Sequence, residues 1–285
     1  SMYNLLRAGI GLALLSLAAA PSIGASRFIQ DPYPSTYRSL GAEAVLIHNA
    51  TVLTGTGERL DDADVLLRDG KVEAVGRALQ AGTDVRRIDA RGRWVTPGLI
   101  DVHSHLGVYP SPGVSAHSDG NEMTAPVTAN VWAEHSVWPQ DPGFAEALAG
   151  GVTSMQVLPG SANLVGGRGV VLKNVPATTY QAMKFPGAPW GLKMACGENP
   201  KRVYGGKGTA PGTRMGNVAG YRAAFIDASD YIAKNTAKPA KRKRWFGGDK
   251  EDSGGDSGGT RDLKLDTLAG AIQGDIRVHI HCYRA

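Results

Sequence analysis

Cysteine and aromatic residues are scarce in this chain, and neither sign of charge dominates it. Of its 285 residues, two are cysteine and 7% are aromatic, and the formal net charge is +5. Cys196 and Cys282 are too few for a disulfide framework and form no CxxC metal-binding pair, so we expect packed thiols. The sequence contains no basic face with interleaved aromatic residues, and we therefore expect no nucleic-acid partner.

Long hydrophobic runs are also rare, and the one that stands out lies at the N-terminus. Arg7 precedes an apolar run from Ala8 to Ala20, and small residues follow at 22–25. The run is too short for a transmembrane helix of ~20 residues, but its order is typical of a secretory signal. We therefore predict a signal peptide over residues 1–25 and a periplasmic or secreted protein without a stable membrane anchor. The alternative is a buried N-terminal helix.

The rest of the chain has the composition of a folded protein rich in turns, with 42% hydrophobic residues, 38 glycines and 16 prolines. Short β-rich runs separated by turns such as Asp69-Gly70 predict a small β-sheet unit over residues 44–93. From residue 94 onward, apolar strands alternate with helical stretches, which predicts an α/β fold with a parallel sheet or barrel. Residues 238–261 have low complexity and predict a mobile loop; an anion docking site at Lys241–Arg244 is the alternative.

Two His-x-His pairs carry the strongest functional signal, one at His103 and His105 and the other at His279 and His281. Residues i and i+2 of a strand face the same way, so each pair directs two imidazoles toward one point. Imidazoles held in this way are typical ligands of a divalent metal such as Zn²⁺. The first pair follows a buried apolar strand, where barrel enzymes place their active sites. For the second pair, either imidazole could face the metal.

The segment from Val95 to His105 (VTPGLIDVHSH) resembles the first-strand motif of the amidohydrolase superfamily, whose members are metal-dependent hydrolases with a (β/α)8 TIM barrel. The β-rich unit before it is similar to the small β-sandwich domain of that family. Gly160 to Arg168 and Lys193 to Tyr204 resemble the branch related to imidazolonepropionase and prolidase-like dipeptidases. The resemblance implies a β-sandwich unit over residues 44–93 and a barrel over residues 94–285.

The resemblance also implies a site for one or two divalent metal ions, with Zn²⁺ expected. By their position in the motif, His103 and His105 would bind the first ion. On the fifth strand we expect His281 rather than His279 to bind the second ion, because its spacing to the following residues matches the family better. The implied reaction is hydrolysis of a C–N bond in an amide, cyclic amide or dipeptide-like small molecule by metal-activated water.

Lys193 matches the carboxylated lysine that bridges the metals in this family, since a carbamate is an anionic ligand whereas an ammonium repels a cation. Glu198 is the alternative bridge. In this family an aspartate on the eighth strand takes the proton of the water, and this sequence has no such segment, so the catalytic residue stays unassigned. Arg202 and Tyr204 are candidates for binding a substrate carboxylate, and His117 for lining the pocket.

The length of the chain conflicts with a complete barrel. A (β/α)8 barrel takes ~250 residues, whereas the segment from Pro97 to the end holds only about five candidate strands. We therefore predict a barrel truncated after about five strands and completed by an absent segment or a second polypeptide; a homo-oligomer is a further possibility. The alternative function is a catalytically incomplete fragment that binds metal without turning substrate over.

Overall fold

The computed structural model describes residues 28–236 and 260–285. The predicted signal peptide and almost all of the low-complexity segment 238–261 lie outside these residues. Within the described chain, ten strands form two five-stranded sheets, and α-helices pack on the second sheet. None of the described helices is long and apolar enough to cross a membrane.

The first sheet has the strand order β3-β2-β1-β4, with the short β5 also paired to β1. Its strands are β1 (Val45–Leu53), β2 (Arg59–Arg68), β3 (Lys71–Gly76), β4 (Arg86–Asp89) and β5 (Trp94–Val95). The β2–β3 turn residues Asp69 and Gly70 have φ angles of 51° and 71°, as a tight hairpin turn requires. The second layer of the expected β-sandwich is not among the described residues.

The second sheet is a half-barrel with the order β10-β9-β8-β7-β6. Its strands are β6 (Leu99–Ser104), β7 (Val152–Val157), β8 (Val165–Lys173), β9 (Gly191–Gly197) and β10 (Arg277–Tyr283). β6 is parallel to β7 and β9 is parallel to β10, whereas β8 is antiparallel to both of its neighbours. The sheet has the expected number of strands, but the described chain forms no closed (β/α)8 barrel.

The direction of β8 corrects the expectation of a wholly parallel sheet. Only residues 158–164 separate β7 from β8. A parallel connection needs a crossover of about a dozen residues or more, usually a helix. The chain therefore turns back on itself here, and β8 enters the sheet in the opposite direction.

Helices cover the sheet and bury two apolar clusters. They are α1 (Pro142–Ala149), α2 (Tyr180–Met183), α3 (Glu198–Gly205), α4 (Arg214–Thr236) and α5 (Leu263–Ile272). One cluster joins Phe144 of α1 to Met155 of β7, and the other joins Leu268 of α5 to Leu192 of β9. Between β6 and β7, residues Ala133–Ser136 form a short 3-10 helix.

The two cysteines are bonded to each other, which corrects the expectation of packed thiols. Cys196 of β9 and Cys282 of β10 lie directly opposite each other in the parallel register, with their Cα atoms 4.6 Å apart, and form a disulfide. Separation by 86 residues hides this pairing from the sequence. The bond ties β10, an outermost strand of the half-barrel, to its neighbour.

Candidate metal centre

Three strands of the half-barrel bring one lysine and three histidines together. The imidazole of His103, on β6, lies 5.2 Å from that of His105 and 5.9 Å from that of His281, measured between ring centroids. The Nζ of Lys193, on β9, lies 3.3 Å from Nε2 of His103. These four residues, His103, His105, Lys193 and His281, are called the His–Lys cluster below.

Lys193 is a fully buried lysine without a carboxylate partner. Its side chain is 0% exposed, and Nζ donates to the Pro159 carbonyl and to Ser161 Oγ, both at 3.0 Å. None of the ion pairs in the described chain includes it. Burial lowers the pKa of Lys193 to about 8, because an unpaired ammonium loses its hydration there.

Two histidines of the cluster are oriented through Nδ1. Nδ1 of His105 lies 2.8 Å from the Leu158 carbonyl oxygen, and Nδ1 of His281 lies 2.8 Å from Ser161 Oγ. A carbonyl only accepts hydrogen bonds, so Nδ1 of His105 carries the proton and Nε2 keeps its lone pair. A proton on one ring nitrogen and a lone pair on the other is the usual form of a metal-binding histidine.

The electrostatics of the cluster favour the neutral form of two of its imidazoles, those of His103 and His105. Burial, followed by the nearby charge of Lys193 and of the other histidines, lowers the pKa of His103. Burial is also the main cause that lowers the pKa of His105. Since metals bind the neutral imidazole, both effects favour the form that could act as a ligand.

His279 does not join the cluster, although it belongs to the second His-x-His pair. In the parallel register His279 lies opposite Lys193, and His281 lies opposite Ala195. His279 packs against Gly191, where an added Cβ would stand 3.0 Å from its Cδ2 atom. Its Nε2 is buried without a hydrogen-bond partner in the described chain. Of the two histidines of this pair, His281 is the one whose ring lies beside that of His103.

Of the two candidate bridging residues, only Lys193 lies in the cluster. Glu198 begins α3, and its Oε2 lies 3.3 Å from Nη1 of Arg284 at a partly exposed position. Asp101 is also close by in sequence, but its Oδ1 accepts the backbone N–H of His103 at 3.0 Å. Glu198 is thus engaged outside the cluster, whereas Asp101 contacts the backbone of a cluster residue.

The three histidines of the cluster are suitable ligands for a divalent metal. Its lysine is suitable only after conversion to a carbamate. Among residues 28–236 and 260–285, no group of three or more His, Cys, Asp or Glu side chains is arranged to hold a metal ion. The cluster instead combines three imidazoles, which suit Zn²⁺, with an amine that repels cations while it is protonated. Conversion of Lys193 to an anionic carbamate would complete a set of nitrogen and oxygen ligands.

The predicted substrate residues have different positions. Tyr204 is 2% exposed, and its hydroxyl bonds to Ala125 and Asn163 inside the protein; its role in substrate binding stays a prediction. Arg202 is exposed on α3 and stays a prediction. His117 lines a small cavity of about 280 Å³ together with Tyr109, whose ring lies 5.8 Å from that of His105. His117 therefore also stays a candidate for lining the pocket.

Ser161 and the loop around it escaped prediction from sequence. The loop comes so close to the segment after β6 that a Cβ on Gly160 would stand 2.5 Å from the Tyr109 hydroxyl and 2.2 Å from Oδ1 of Asn121. Asn163, in the same loop, is buried and bonds to Tyr204. Apart from the family resemblance of Gly160 to Arg168, the signal in this segment was its glycines, since they indicate tight turns or close approach.

A larger cavity of about 580 Å³ lies beside the cluster, and none of the cluster residues lines it. Pro159 connects the two, because its carbonyl accepts from Lys193 and the residue also lines the cavity. Tyr33, Trp132 and His135 form an aromatic group on its wall. The cavity is thus separate from the candidate metal centre.

Related proteins carry the same fold. The amidohydrolase TasK of Hapsidospora irregularis is 34% identical over 275 residues, which cover 87% of this chain and 27% of TasK. A crystal structure of an amidohydrolase from Thermotoga maritima MSB8 aligns with a TM-score of 0.72 and 37% identity over 85% of this chain and 58% of that one. The chain belongs to the amidohydrolase superfamily. The resemblance stated from its motifs is confirmed.

Other matches are shorter. The imidazolonepropionase of Symbiobacterium thermophilum is 47% identical over 62 residues, which are 18% of this chain and 15% of that protein. No protein-family model matches the chain. The chain spans 27% of TasK and 58% of the Thermotoga protein, so the activity of such whole amidohydrolases is a proposal for this chain.

Proposed function

We propose that this chain contributes the metal-binding residues of a hydrolase that cleaves a C–N bond in a small molecule. The observation that supports it most is the His–Lys cluster, in which three strands of the half-barrel bring His103, His105, His281 and Lys193 together. Relatives with the word amidohydrolase in their names support the same reaction class. An amide, a cyclic amide or a dipeptide-like compound is the proposed substrate class.

The cluster residues have distinct roles in this proposal. His103 and His105 would hold one ion and His281 a second, and Lys193 in its carbamate form would be the bridging ligand. One or two divalent ions, Zn²⁺ by the donor set, supply Lewis acidity and activate water when bound. The Leu158 carbonyl keeps Nε2 of His105 free, and the buried surroundings of Lys193 exclude competing water from its amine.

The bridging role requires a chemical change at Lys193. The neutral amine attacks carbon dioxide, an N–C bond forms, and the amine loses one proton, which leaves a carbamate with one negative charge. The low pKa of Lys193, about 8, and the lack of a carboxylate partner support this role, because a structural lysine this deeply buried is normally paired with an acid.

The metal proposal is tested by metal analysis of purified protein. We expect one to two equivalents of Zn²⁺ per chain, and a loss of at least one equivalent in His103→Ala combined with His105→Ala. His48→Ala, in the first sheet, is the matched control and should keep the metal. Wild-type protein that binds no divalent metal after incubation with zinc and bicarbonate would contradict the proposal.

A second candidate is a metal-binding fragment that needs another polypeptide for turnover. It is favoured by the open half-barrel, whose two outermost strands expose apolar side chains such as Ile100 and Ile280, 70% and 54% exposed. A screen with dipeptides, N-acyl amino acids and lactams separates the candidates. Hydrolysis that is lost with the metal supports the enzyme, whereas bound metal without turnover supports the fragment.

We further propose that the protein is exported to a periplasm or secreted. The signal-like order of residues 1–25 supports export, and so does the Cys196–Cys282 disulfide, because disulfides persist in oxidising compartments. Cell fractionation followed by N-terminal sequencing should find the mature chain outside the cytoplasm with a start near Ser26. A cytoplasmic protein with an intact N-terminus would refute export.

A further inference from the structure

Ser161 hydrogen-bonds to two members of the His–Lys cluster, Lys193 and His281. Its Oγ lies 3.0 Å from Nζ of Lys193 and 2.8 Å from Nδ1 of His281. The serine lies in the loop of residues 158–164 between β7 and β8, so it reaches the cluster from a different element than either partner. The same loop supplies the Leu158 carbonyl that orients His105 and the Pro159 carbonyl that binds Lys193.

The hydrogen-bonding capacities of the three groups restrict how they can pair. An ammonium has only donors, so Lys193 donates to Ser161 Oγ in its charged form; an amine and a carbamate nitrogen each keep an N–H that can do the same. A hydroxyl oxygen has two acceptor sites and one hydrogen. Oγ can therefore accept a second bond from Nδ1–H of His281, or its hydrogen can be donated to an unprotonated Nδ1.

The two arrangements give opposite forms of His281. If Oγ accepts from Nδ1–H, Nε2 carries a lone pair; if the hydroxyl donates, Nε2 carries the hydrogen. The His281 ring lies beside His103 and close to the buried nitrogen of Lys193. A histidine binds a metal ion through a ring nitrogen that carries a lone pair, so only the first arrangement leaves Nε2 of His281 able to bind the ion in the proposed site.

We propose that Ser161 is a positioning residue that accepts from both Lys193 and His281 and so presents the Nε2 lone pair of His281 to the metal. This inference rests on the proposed function of the cluster. The one oxygen atom of Ser161 contacts both His281, the proposed ligand of the second ion, and Lys193, the proposed bridging ligand. No other hydroxyl side chain in the described chain hydrogen-bonds to both Lys193 and His281.

The tautomer of His281 is measured in metal-free protein by long-range ¹H–¹⁵N correlation of the imidazole nitrogens. We expect the Nδ1–H form in the wild type, loss of that preference in Ser161→Ala, and its retention in Ser161→Thr, which keeps the hydroxyl. Ser229→Ala is the control, because Ser229 bonds only to Phe225 within α4. A wild-type His281 with its hydrogen on Nε2 overturns the proposal.

Zinc titration provides a second readout. We expect Ser161→Ala to weaken at least one Zn²⁺ affinity by about 10–100-fold, as is typical when a residue that orients a ligand is lost, and Ser161→Thr to restore it. Equal affinities in wild type and a folded Ser161→Ala protein overturn the role of Ser161. If the wild type binds no Zn²⁺, the proposed function fails by itself, and the tautomer measurement still tests Ser161.

Discussion

At the scale of single residues, buried polar side chains hold the segments around the cluster together by hydrogen bonds. Asn163 is 1% exposed, and its Nδ2 lies 2.6 Å from the Glu122 carbonyl and 2.9 Å from the Tyr204 hydroxyl. Its Oδ1 accepts from Asn121, whose own Oδ1 accepts from Tyr109. Asn163 therefore holds the long segment after β6 in place next to the cluster.

Replacing this residue should destabilise the protein measurably. We expect Asn163→Ala to lower the free energy of unfolding by about 1–3 kcal/mol, because buried carbonyl and hydroxyl groups lose their partner. Urea denaturation measures the change. Asn130→Ala, at an exposed position in the same segment, is the control and should have little effect; equal losses in the two variants would contradict the role given to Asn163.

At the scale of elements, two connections secure parts of the fold that are far apart in sequence. Lys184, after α2, pairs with Glu134 of the short 3-10 helix at 3.0 Å and with Asp31 of the N-terminal segment at 2.9 Å. The side chains of Lys184 and Glu134 are 6% and 1% exposed. The disulfide between β9 and β10 is the second connection. The ion pairs join segments that lie outside the sheet, and the disulfide joins two strands near the end of their pairing.

Removing one partner of the buried Lys184–Glu134 ion pair should destabilise the protein more than replacing both partners. Lys184→Met should cost about 3–5 kcal/mol of unfolding free energy, because Glu134 is left buried and charged without its partner. Adding Glu134→Gln to Lys184→Met removes that charge and should recover part of the loss. Denaturant unfolding of both variants decides the matter: a double variant no more stable than Lys184→Met would argue against the charge as the cause.

The disulfide gives a redox-dependent prediction. Loss of the bond should lower the free energy of unfolding by about 2–4 kcal/mol, chiefly because the unfolded chain gains freedom. Thermal melting of the wild type with and without reductant measures the difference. A protein with both Cys196→Ser and Cys282→Ser should melt like the reduced wild type and ignore reductant; a wild type that is equally insensitive would mean that the bond does not form.

At the scale of the whole molecule, the two outermost strands of the half-barrel, β6 and β10, expose apolar side chains in the described chain. Ile100 and Val102 of β6 are 70% and 64% exposed, and Val278 and Ile280 of β10 are 43% and 54% exposed. In each pair the residues are two apart and face the same way. Apolar strand faces and unpaired edges promote association, so the chain should not stay monomeric by itself.

Charge on these faces should suppress that association. We expect Ile100→Lys combined with Ile280→Lys to shift the chain toward monomer in light scattering coupled to size-exclusion chromatography at several concentrations. Met215→Lys, at an 80% exposed position on α4, is the control for added charge. A wild type that is monomeric at every concentration would refute the prediction.

The sequence by itself determined the superfamily, the number of strands in the half-barrel and the positions of the His103–His105 pair and Lys193. These depend on local pattern: a strand alternates its faces with a period of two, so His-x-His on a strand defines its own geometry. Turn residues such as Asp69-Gly70 are equally local, since only their backbone angles matter.

Only the tertiary structure decided the direction of β8, the Cys196–Cys282 bond and the contacts of Ser161. Each depends on strand register or on a loop crossing the sheet, between residues as far apart as Ser161 and His281, 120 positions along the chain. The burial of Tyr204 was not predicted for the same reason, since it follows from packing against Asn163. The partner of a residue across a sheet depends on the register of the whole strand, so the few residues around it do not specify that partner.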